Sequence, residues 1–367
     1  MPRVFENVEI SLYPAPRIAR CIEVHTSDCG PACAVSYATV PPVIVSTGIA
    51  VFDMAQWEPD EEYPYFPEGS RDKRLLRCPA NVTHSALIPR HRYLFKKSRA
   101  VYPEQFWVEV VAYHVGRLCG VPVPPAFPAW HSQTGECAAL VEWFYGYPGQ
   151  PTESFLSGGL FMKALIKDYD LKRGRQHNFA SIELLCQVLA NSPKGSRPQL
   201  GQDWPQAWAR MLTFDALIGN TDRHHENWGF KVTRLTDPKQ ATFSLAPAFD
   251  NGTSLGHEWS PDQFGRFVDA NYLNRYIRNG HHHMRWKAGD ARAAGHAELL
   301  LKLAQKHPDS RAAMEAVLAF DAAELDRSLV ALTTLPMPIM LSHERAEHML
   351  RLILARREYL RNALTSP

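Results

Sequence analysis

Short apolar runs bounded by turn residues dominate the first 149 positions, after a stretch with scattered prolines. Runs of this length are typical of β-strands. One longer apolar segment, from residue 103 to residue 118, has proline at its start and Gly120 just after its end, which predicts a helix. The front of the chain is therefore predicted to be β-rich with one inserted helix. The predicted strands lie at residues 43–52, 73–78, 91–97 and 138–144.

Beyond a glycine- and proline-rich turn at residues 146–149, apolar residues recur at the spacing of α-helices. A β-rich front and a helical back half together predict an α+β fold with two lobes. We expect an irregular or β N-terminal segment (1–62), a β-rich N-lobe (63–149) and a mostly helical C-lobe (150–367). The helices are predicted at residues 179–190, 204–218, 291–305, 311–320, 322–332 and 343–363.

Composition narrows the class of protein. The 367 residues are 45% hydrophobic and 21% charged, which is ordinary for a globular protein. A formal net charge of +2 gives no support for direct nucleic-acid contact. No window approaches the roughly 18 consecutive apolar residues of a membrane span, so we expect no integral membrane segment. Cys119 and Cys186 lie in apolar helical patterns, which suits reduced thiols and a cytoplasmic location.

The most informative chemistry lies in Asp222, Asn227 and Asp250. Asp222 follows the predicted helix 204–218, Asn227 comes five residues later, and Asp250 follows a short apolar strand at 241–245. A carboxylate on an anchored loop can orient a hydroxyl, and an amide and a second carboxylate can hold Mg²⁺. The alternative is that Asp222 is a turn residue and Asn227 a cap. The three residues together favour the arrangement by which protein kinases hold Mg²⁺-ATP.

A lysine and a glutamate upstream would complete such a site. Strand alternation places Lys96 and Lys97 on opposite faces, and we predict that Lys96 contacts the ATP phosphates, with Lys97 as the alternative. Glu109 lies at the centre of the helix predicted at 103–118, which is apolar nearly all round. A buried carboxylate needs a cation, and Lys96 is the natural partner. Two exposed lysines and a glutamate on a polar helix edge remain the alternative.

Two further segments fit nucleotide contacts less specifically. Gly69, Ser70 and Lys73 precede or begin the first strand of the N-lobe, where glycine would let backbone N–H groups approach phosphates and Arg71 or Lys73 would add charge. An ordinary turn is the alternative. Glu142 and Phe144 lie in an apolar run that fits a connector between lobes, with backbone groups available to an adenine edge. A buried strand without a ligand is equally consistent with that run.

Histidines near these motifs are predicted to be structural. His224 and His225 follow Asp222 and are expected to order its loop. The run His281, His282 and His283 lies among arginines, which disfavours a divalent cation, so we predict a basic surface loop. A substrate or phosphate contact there is the alternative.

With these residues in place, the chain resembles the C-terminal kinase domain of HipA-like serine/threonine kinases. The resemblance covers residues 65–256 and is most specific from Leu217 to Asn227 and from Leu245 to Asp250. It implies transfer of the ATP γ-phosphate to a protein hydroxyl, with ATP and Mg²⁺ as cofactors. The residue roles that it implies are catalysis by Asp222, Mg²⁺ binding by Asn227 and Asp250, and nucleotide contacts by Gly69, Ser70, Lys73, Lys96, Glu109, Glu142 and Phe144.

The best-known members of this family are bacterial toxins neutralised by a DNA-binding antitoxin, so the resemblance also implies an antitoxin partner beside an unidentified protein substrate. Two features depart from the family pattern. Glu226 stands where the family often has lysine, and residues 1–62 differ from its extra N-terminal β-domain. The segments around Asp222 and Asp250 are also similar to type II phosphatidylinositol 4-kinases. A lipid or small-molecule kinase and a non-catalytic nucleotide-binding module therefore stay open.

Overall fold

The structure is a computed structural model that describes the backbone at residues 43–44 and residues 49–62, 71–191, 199–234 and 241–365. Gly69 and Ser70 therefore lie outside the described residues. Within these ranges no helix is long and apolar enough to cross a bilayer. The cysteines that the structure describes are buried free thiols, namely Cys78, Cys119, Cys137 and Cys186.

The N-terminal part is a seven-stranded sheet in the order β1-β2-β6-β7-β5-β4-β3. All neighbouring strands are antiparallel except β2 and β6. The sheet includes strands from both sides of residue 62. Its strands are β1 (Val43–Ile44), β2 (Ala50–Asp53), β3 (Glu58–Pro59), β4 (Lys73–Arg77), β5 (Arg92–Lys97), β6 (Ala126–His131) and β7 (Glu136–Glu142).

Helix α1 (Phe106–Cys119) packs against β6 and β7 and confirms the helix predicted at 103–118. Ten of its residues are buried, as the nearly continuous apolar sequence predicts. Gly120 ends the helix in the left-handed region at a φ of 65°. The helix enters the core shared with the C-terminal part, where it contacts α4 (Trp204–Ile218), a helix buried along most of its length.

The C-terminal part combines helices with a second sheet that the sequence did not predict. Its strands β8 (Glu153–Ser157), β10 (Gly229–Thr233), β11 (Thr242–Leu245) and β9 (Gln199–Leu200) lie side by side in that order. The apolar strand expected at 241–245 is confirmed as β11. The helices are α2 (Gly158–Leu165), α3 (Phe179–Ala190), α4, α5 (Ala270–Asn279), α6 (His296–Lys306), α7 (Arg311–Leu318), α8 (Ala322–Thr333) and α9 (His343–Thr365).

Helices α3 and α4 have the predicted bounds, and α7, α8 and α9 differ from prediction by one or two residues at their C-terminal ends. The helix predicted from residue 291 begins only at His296, because the Glu298 carboxylate accepts a hydrogen bond from the Gly295 N–H and fixes the start of α6 there. Helix α4 lies at the centre of this part and contacts α1, α6, α7 and α9. The loop that follows α4 carries the candidate catalytic residues.

Candidate active site

The loop after α4 is held by bonds at its first residues. Gly219 ends α4 at a φ of 70°, and a Cβ there would lie 2.6 Å from the Arg356 guanidinium. Asn220 is fully buried and donates through Nδ2 to Asp215 Oδ1 at 3.1 Å. Its side-chain oxygen accepts from the Asp222 N–H at 3.0 Å. These bonds fix the backbone of Asp222 and leave its carboxylate free of them.

Arg223 ties this loop to the segment around Asp250. It is fully buried and pairs with Asp215 through Nε at 3.0 Å and Nη2 at 2.7 Å. Nη1 donates to the backbone oxygens of Asn227 and Phe249, and Nη2 to Asn251 Oδ1 at 2.8 Å. One buried side chain therefore sets the position of both loops.

Asn227 is fixed through the nitrogen of its side-chain amide. Its Nδ2 donates to the backbone oxygen of Asp222 at 2.8 Å, so the amide nitrogen is already used within the protein. An amide oxygen and the Asp250 carboxylate are hard oxygen ligands, which suit Mg²⁺ or a similar cation. Mg²⁺ commonly takes only one or two protein carboxylates and completes its coordination with nucleotide phosphates and water. The residues present therefore fit a cation bound together with a nucleotide.

Four charged side chains meet beside this loop. Lys96 Nζ lies 2.6 Å from Glu109 Oε1 and 2.5 Å from Asp250 Oδ1. Arg71 Nη2 lies 2.8 Å and 3.0 Å from the same two oxygens. The side chains of Arg71, Lys96 and Glu109 are almost completely buried, whereas that of Asp250 is 32% exposed. Glu109 Oε2 also accepts from the Asn251 N–H at 3.1 Å, which joins α1 to the candidate metal-binding segment.

The carboxylates of the site differ in the direction of their pKa shifts. Burial acts to raise the pKa of Asp250, but the charges of Lys96 and Arg71 outweigh it and hold that pKa well below its usual range. The same balance lowers the pKa of Glu109. Burial raises the pKa of Asp222, and although His224 opposes this shift, the negative charge of Asp250 reinforces it. Asp250 is thus held in its ionised form, and Asp222 is the carboxylate of the two that is better suited to take up a proton.

The two candidate lysines point to different surroundings. Lys97 is on the opposite face of β5 from Lys96 and pairs with Asp72 at 2.5 Å and Glu136 at 2.7 Å. Lys73 begins β4 directly opposite Lys96, and its charge contributes to the low pKa of Asp250. The structure therefore brings Lys73, Lys96 and Asp250 together and directs Lys97 elsewhere.

The connector predicted around Glu142 and Phe144 makes more contacts within the protein than the sequence indicated. The Glu142 side chain accepts from Tyr147 Oη at 2.8 Å, and its N–H donates to Pro125 O at 2.7 Å. Burial raises the pKa of Glu142. The Phe144 ring stacks on Phe249 with centroids 5.0 Å apart. Among the groups of this connector, the Glu142 N–H is therefore already used within the protein.

One prediction about the histidines is wrong. His282 is buried instead of lying on a basic surface loop, and its Nε2 donates to Asp215 Oδ2 at 3.2 Å. Only the neighbouring His281 is exposed. A buried carboxylate near the end of α4 needs a cation and hydrogen-bond donors. Arg223 supplies the charge, and His282 supplies a further donor from a distant part of the chain. Sequence reasoning missed Arg223 and the Arg71 contacts. The one available signal was an arginine directly after the candidate catalytic aspartate.

Comparison with known proteins identifies the family and the fold of the chain. A profile described as the HipA-like C-terminal domain matches residues 67–319, and the chain belongs to that family. A Helicobacter pylori proinflammatory kinase, CtkA, has a similar structure with a TM-score of 0.63 and 16% identity, covering 86% of this chain and 96% of that chain. The predicted α+β, two-lobed, protein-kinase-like fold is thereby confirmed.

Two further structures are more distant. HipA of Shewanella oneidensis MR-1, solved with HipB and operator DNA, has a TM-score of 0.49 and 14% identity, covering 83% of this chain and 68% of that chain. The Golgi casein kinase with Mn/ADP bound has a TM-score of 0.31 and 11% identity, covering 82% and 72% respectively. No curated protein sequence matches this chain.

Proposed function

We propose that the protein is an ATP-dependent phosphotransferase that moves the γ-phosphate of ATP to a serine or threonine hydroxyl of another protein. The observation that supports this best is the convergence of Lys96, Glu109 and Asp250 through contacts of 2.6 Å and 2.5 Å. Glu109 and Asp250 are 13 and 154 positions from Lys96 in the sequence. A strongly charged ligand in the cleft would explain why these charges lie buried together at its edge.

Each residue has a distinct role in this proposal. Lys96 contacts the nucleotide phosphates, and Glu109 keeps its ammonium group in place. Asn227 and Asp250 hold a divalent cation, which we take to be Mg²⁺ and which would neutralise phosphate charge when bound. The resemblance further implies phosphate contacts by Gly69, Ser70 and Lys73, and contacts with the base by the segment from Glu142 to Phe144. These assignments rest on residue chemistry and on the family resemblance.

Asp222 acts on the acceptor. Its carboxylate orients the acceptor hydroxyl, whose oxygen forms a bond to the γ-phosphorus while the bond between that phosphorus and the bridging β–γ oxygen breaks. ADP leaves with the electrons of the broken bond, and Asp222 takes the hydroxyl proton. The raised pKa of Asp222 makes it a better proton acceptor than an ordinary aspartate. The proposal also includes a cytoplasmic location, which suits the free buried thiols, and a DNA-binding antitoxin partner, which rests on the resemblance alone.

Purified protein with radiolabelled ATP, Mg²⁺ and a cytosolic protein extract tests the proposal. We expect labelled protein products, and we expect Asp222→Asn to reduce the rate by about 10²- to 10⁴-fold, because a positioned acid–base group contributes that much. Asp326→Asn changes an exposed carboxylate on α8 and is the matched control, with an unchanged rate. Thermal stabilisation by Mg²⁺-ATP should persist in both variants.

The alternatives predict different results in this experiment and in a parallel one in which phosphoinositide vesicles are the acceptor. Stabilisation by Mg²⁺-ATP without transfer to any acceptor would favour a nucleotide-binding regulatory module. Transfer to phosphoinositide in vesicles, but not to protein, would favour a lipid kinase. An Asp222→Asn variant with full activity would rule out the assigned role of that residue.

A further inference from the structure

Arg71 occupies the centre of the candidate site, although it belongs to the segment just before β4. Its Nη2 contacts Glu109 Oε1 at 2.8 Å and Asp250 Oδ1 at 3.0 Å. Its side chain is only 6% exposed. Nη1 is buried too, and among the described residues it has no hydrogen-bond partner. A buried guanidinium nitrogen without an acceptor is costly, so its placement requires a reason.

The surrounding backbone is shaped to admit this side chain. A Cβ on residue 252 would lie 2.2 Å from Arg71 Nη1 and 2.3 Å from Nη2, so the guanidinium fits there only because residue 252 is glycine. The Gly252 carbonyl accepts from Gln105 Nε2 at 2.8 Å, which fixes this segment against the chain just before α1. Arg71 is therefore an integral part of the site and not a surface side chain that has folded inward.

Arg71 also shares its acceptor with the candidate cation. Asp250 Oδ1 receives both Lys96 Nζ at 2.5 Å and Arg71 Nη2 at 3.0 Å. A divalent cation that approaches Asp250 meets a carboxylate whose charge is already balanced by two side-chain cations. Metal binding without a nucleotide is opposed by that balance. A nucleotide would relieve it, because its phosphates offer the two cations new anionic acceptors.

We propose that Arg71 couples metal binding to nucleotide binding. In the nucleotide-free protein it competes with the divalent cation for Asp250, and with a nucleotide present its guanidinium turns from Asp250 towards a phosphate oxygen, which gives Nη1 an acceptor. Arg71 is thus a positioning residue for the metal and a contact residue for a nucleoside triphosphate. This inference rests on the proposed function, because it assumes that a nucleotide binds in this cleft.

Binding measurements with Mn²⁺ and the non-hydrolysable β,γ-imido analogue of ATP test the coupling without any turnover. Replacing Arg71 by glutamine removes the charge and keeps a polar side chain. We expect Arg71→Gln to bind Mn²⁺ alone at least about fivefold more tightly than wild type, because Asp250 loses one competitor. We expect its affinity for the analogue in the presence of Mn²⁺ to fall by roughly tenfold, the equivalent of one lost charge-assisted hydrogen bond. The increase in Mn²⁺ affinity that the analogue causes should shrink accordingly.

Two further variants separate a specific effect from a folding defect. Arg74→Gln changes the next arginine along the chain, which lies on β4 and pairs with Glu136, and it should leave both affinities unchanged. Gly252→Ala keeps Arg71 but fills the space of its guanidinium, so it should shift both affinities in the same directions as Arg71→Gln. If Arg71→Gln is unfolded, Gly252→Ala and Arg71→Lys carry the test, since lysine keeps the charge but lacks the second donor.

The results distinguish this inference from the proposed function. Wild-type affinities in the variants that alter Arg71 or Gly252 would show that Arg71 is a structural ion pair and would overturn the coupling. A wild-type protein that does not bind the analogue at all would overturn the proposed function. Mn²⁺ binding to Arg71→Gln would still decide the competition at Asp250 in that case.

Discussion

Arg223 is the residue on which the geometry of the site most depends. It makes five hydrogen bonds, two to Asp215 and the others to Asn227, Phe249 and Asn251. These partners lie near the end of α4, in the loop that follows it, and in the segment around Asp250. The charge of Arg223 also acts against the burial of Asp215 and holds the pKa of that carboxyl well below its usual range. Loss of this one side chain would release two loops and leave a buried anion.

We predict that Arg223→Gln lowers the free energy of unfolding by about 3–5 kcal/mol, because breaking a buried ion pair leaves one partner uncompensated. Urea denaturation followed by tryptophan fluorescence measures this loss. Arg327→Gln, at an exposed position on α8, serves as the control and should change stability by less than about 0.5 kcal/mol. Equal effects of the two substitutions would mean that Asp215 does not depend on Arg223.

Residues close in sequence were predictable, and residues joined only by the fold were not. Asp222 and Asn227 are five positions apart, and their chemistry shows in the linear pattern. Strand alternation also separated Lys96 from Lys97, although it could not decide between them. The Arg71–Asp250 contact joins residues 179 positions apart, and the His282–Asp215 contact spans 67. No local pattern indicates such contacts, because they depend on how distant segments of the chain pack in the fold.

At the scale of elements, a glycine allows the start of α2 to lie close to Trp228, at the end of the loop that follows α4. The Gly158 N–H donates to the Trp228 carbonyl at 2.8 Å, and a Cβ on Gly158 would lie 2.2 Å from the buried Trp228 ring. Trp228 Nε1 in turn donates to His177 Nε2 at 2.9 Å, which leaves the ring no freedom to move aside. The close approach of helix and loop therefore requires glycine at the start of α2.

We predict that Gly158→Ala destabilises the protein by about 1–3 kcal/mol through overpacking against Trp228. Gly265→Ala is a suitable control, because a Cβ there would meet no atom within 4 Å. That control should be neutral or raise stability by up to about 1 kcal/mol, since alanine restricts the unfolded chain more than glycine does. Thermal and urea unfolding of the two variants measure the difference. An unaltered midpoint for Gly158→Ala would show that α2 can shift without cost.

Elements with long, regular patterns were predicted best. Helices α3 and α4 are both largely buried, so their apolar periodicity is strong and their predicted bounds agree with the structure. Helix α5 was missed because only Ile277 of its ten residues is buried, which leaves almost no apolar pattern. Strand β8 was missed because all five of its residues are half-buried and it finds its partner β10 more than 70 positions later. Its pairing, and not its sequence, makes it a strand.

At the scale of the whole molecule, buried histidines make stability depend on pH. Burial lowers the pKa of His114 and His283 to about 4 and that of His296 and His348 to about 3. An unfolded chain binds these protons near pH 6.5, well before the folded protein does. Between these pKa values the unfolded state holds more protons. Stability from these groups is therefore fully present above pH 6.5 and is lost as the pH falls towards 4 and then 3.

We predict that the free energy of unfolding falls from pH 7.5 to pH 5 by on the order of 1–2 kcal/mol for each such histidine. His348 is suited to a direct test, because it stacks on Phe264 with centroids 4.1 Å apart and neither ring nitrogen has a hydrogen-bond partner among the described residues. His348→Phe should flatten the pH dependence by that amount in urea titrations. Substituting the exposed His281 by glutamine should leave the curve as in wild type. If the free energy of unfolding of His348→Phe changed with pH as it does in wild type, the low pKa assigned to His348 would be contradicted.

The hydrogen bonds of the catalytic loop have one consequence for anyone who wishes to find the acceptor. Neighbouring residues hold Asp222 through its main chain alone, with its N–H bonded to Asn220 and its carbonyl to Asn227. An amide in place of its carboxylate keeps both bonds, so Asp222→Asn should retain the shape of the wild-type loop. Under the proposed function we expect this variant to bind its acceptor without modifying it, which suits it to capturing that acceptor intact.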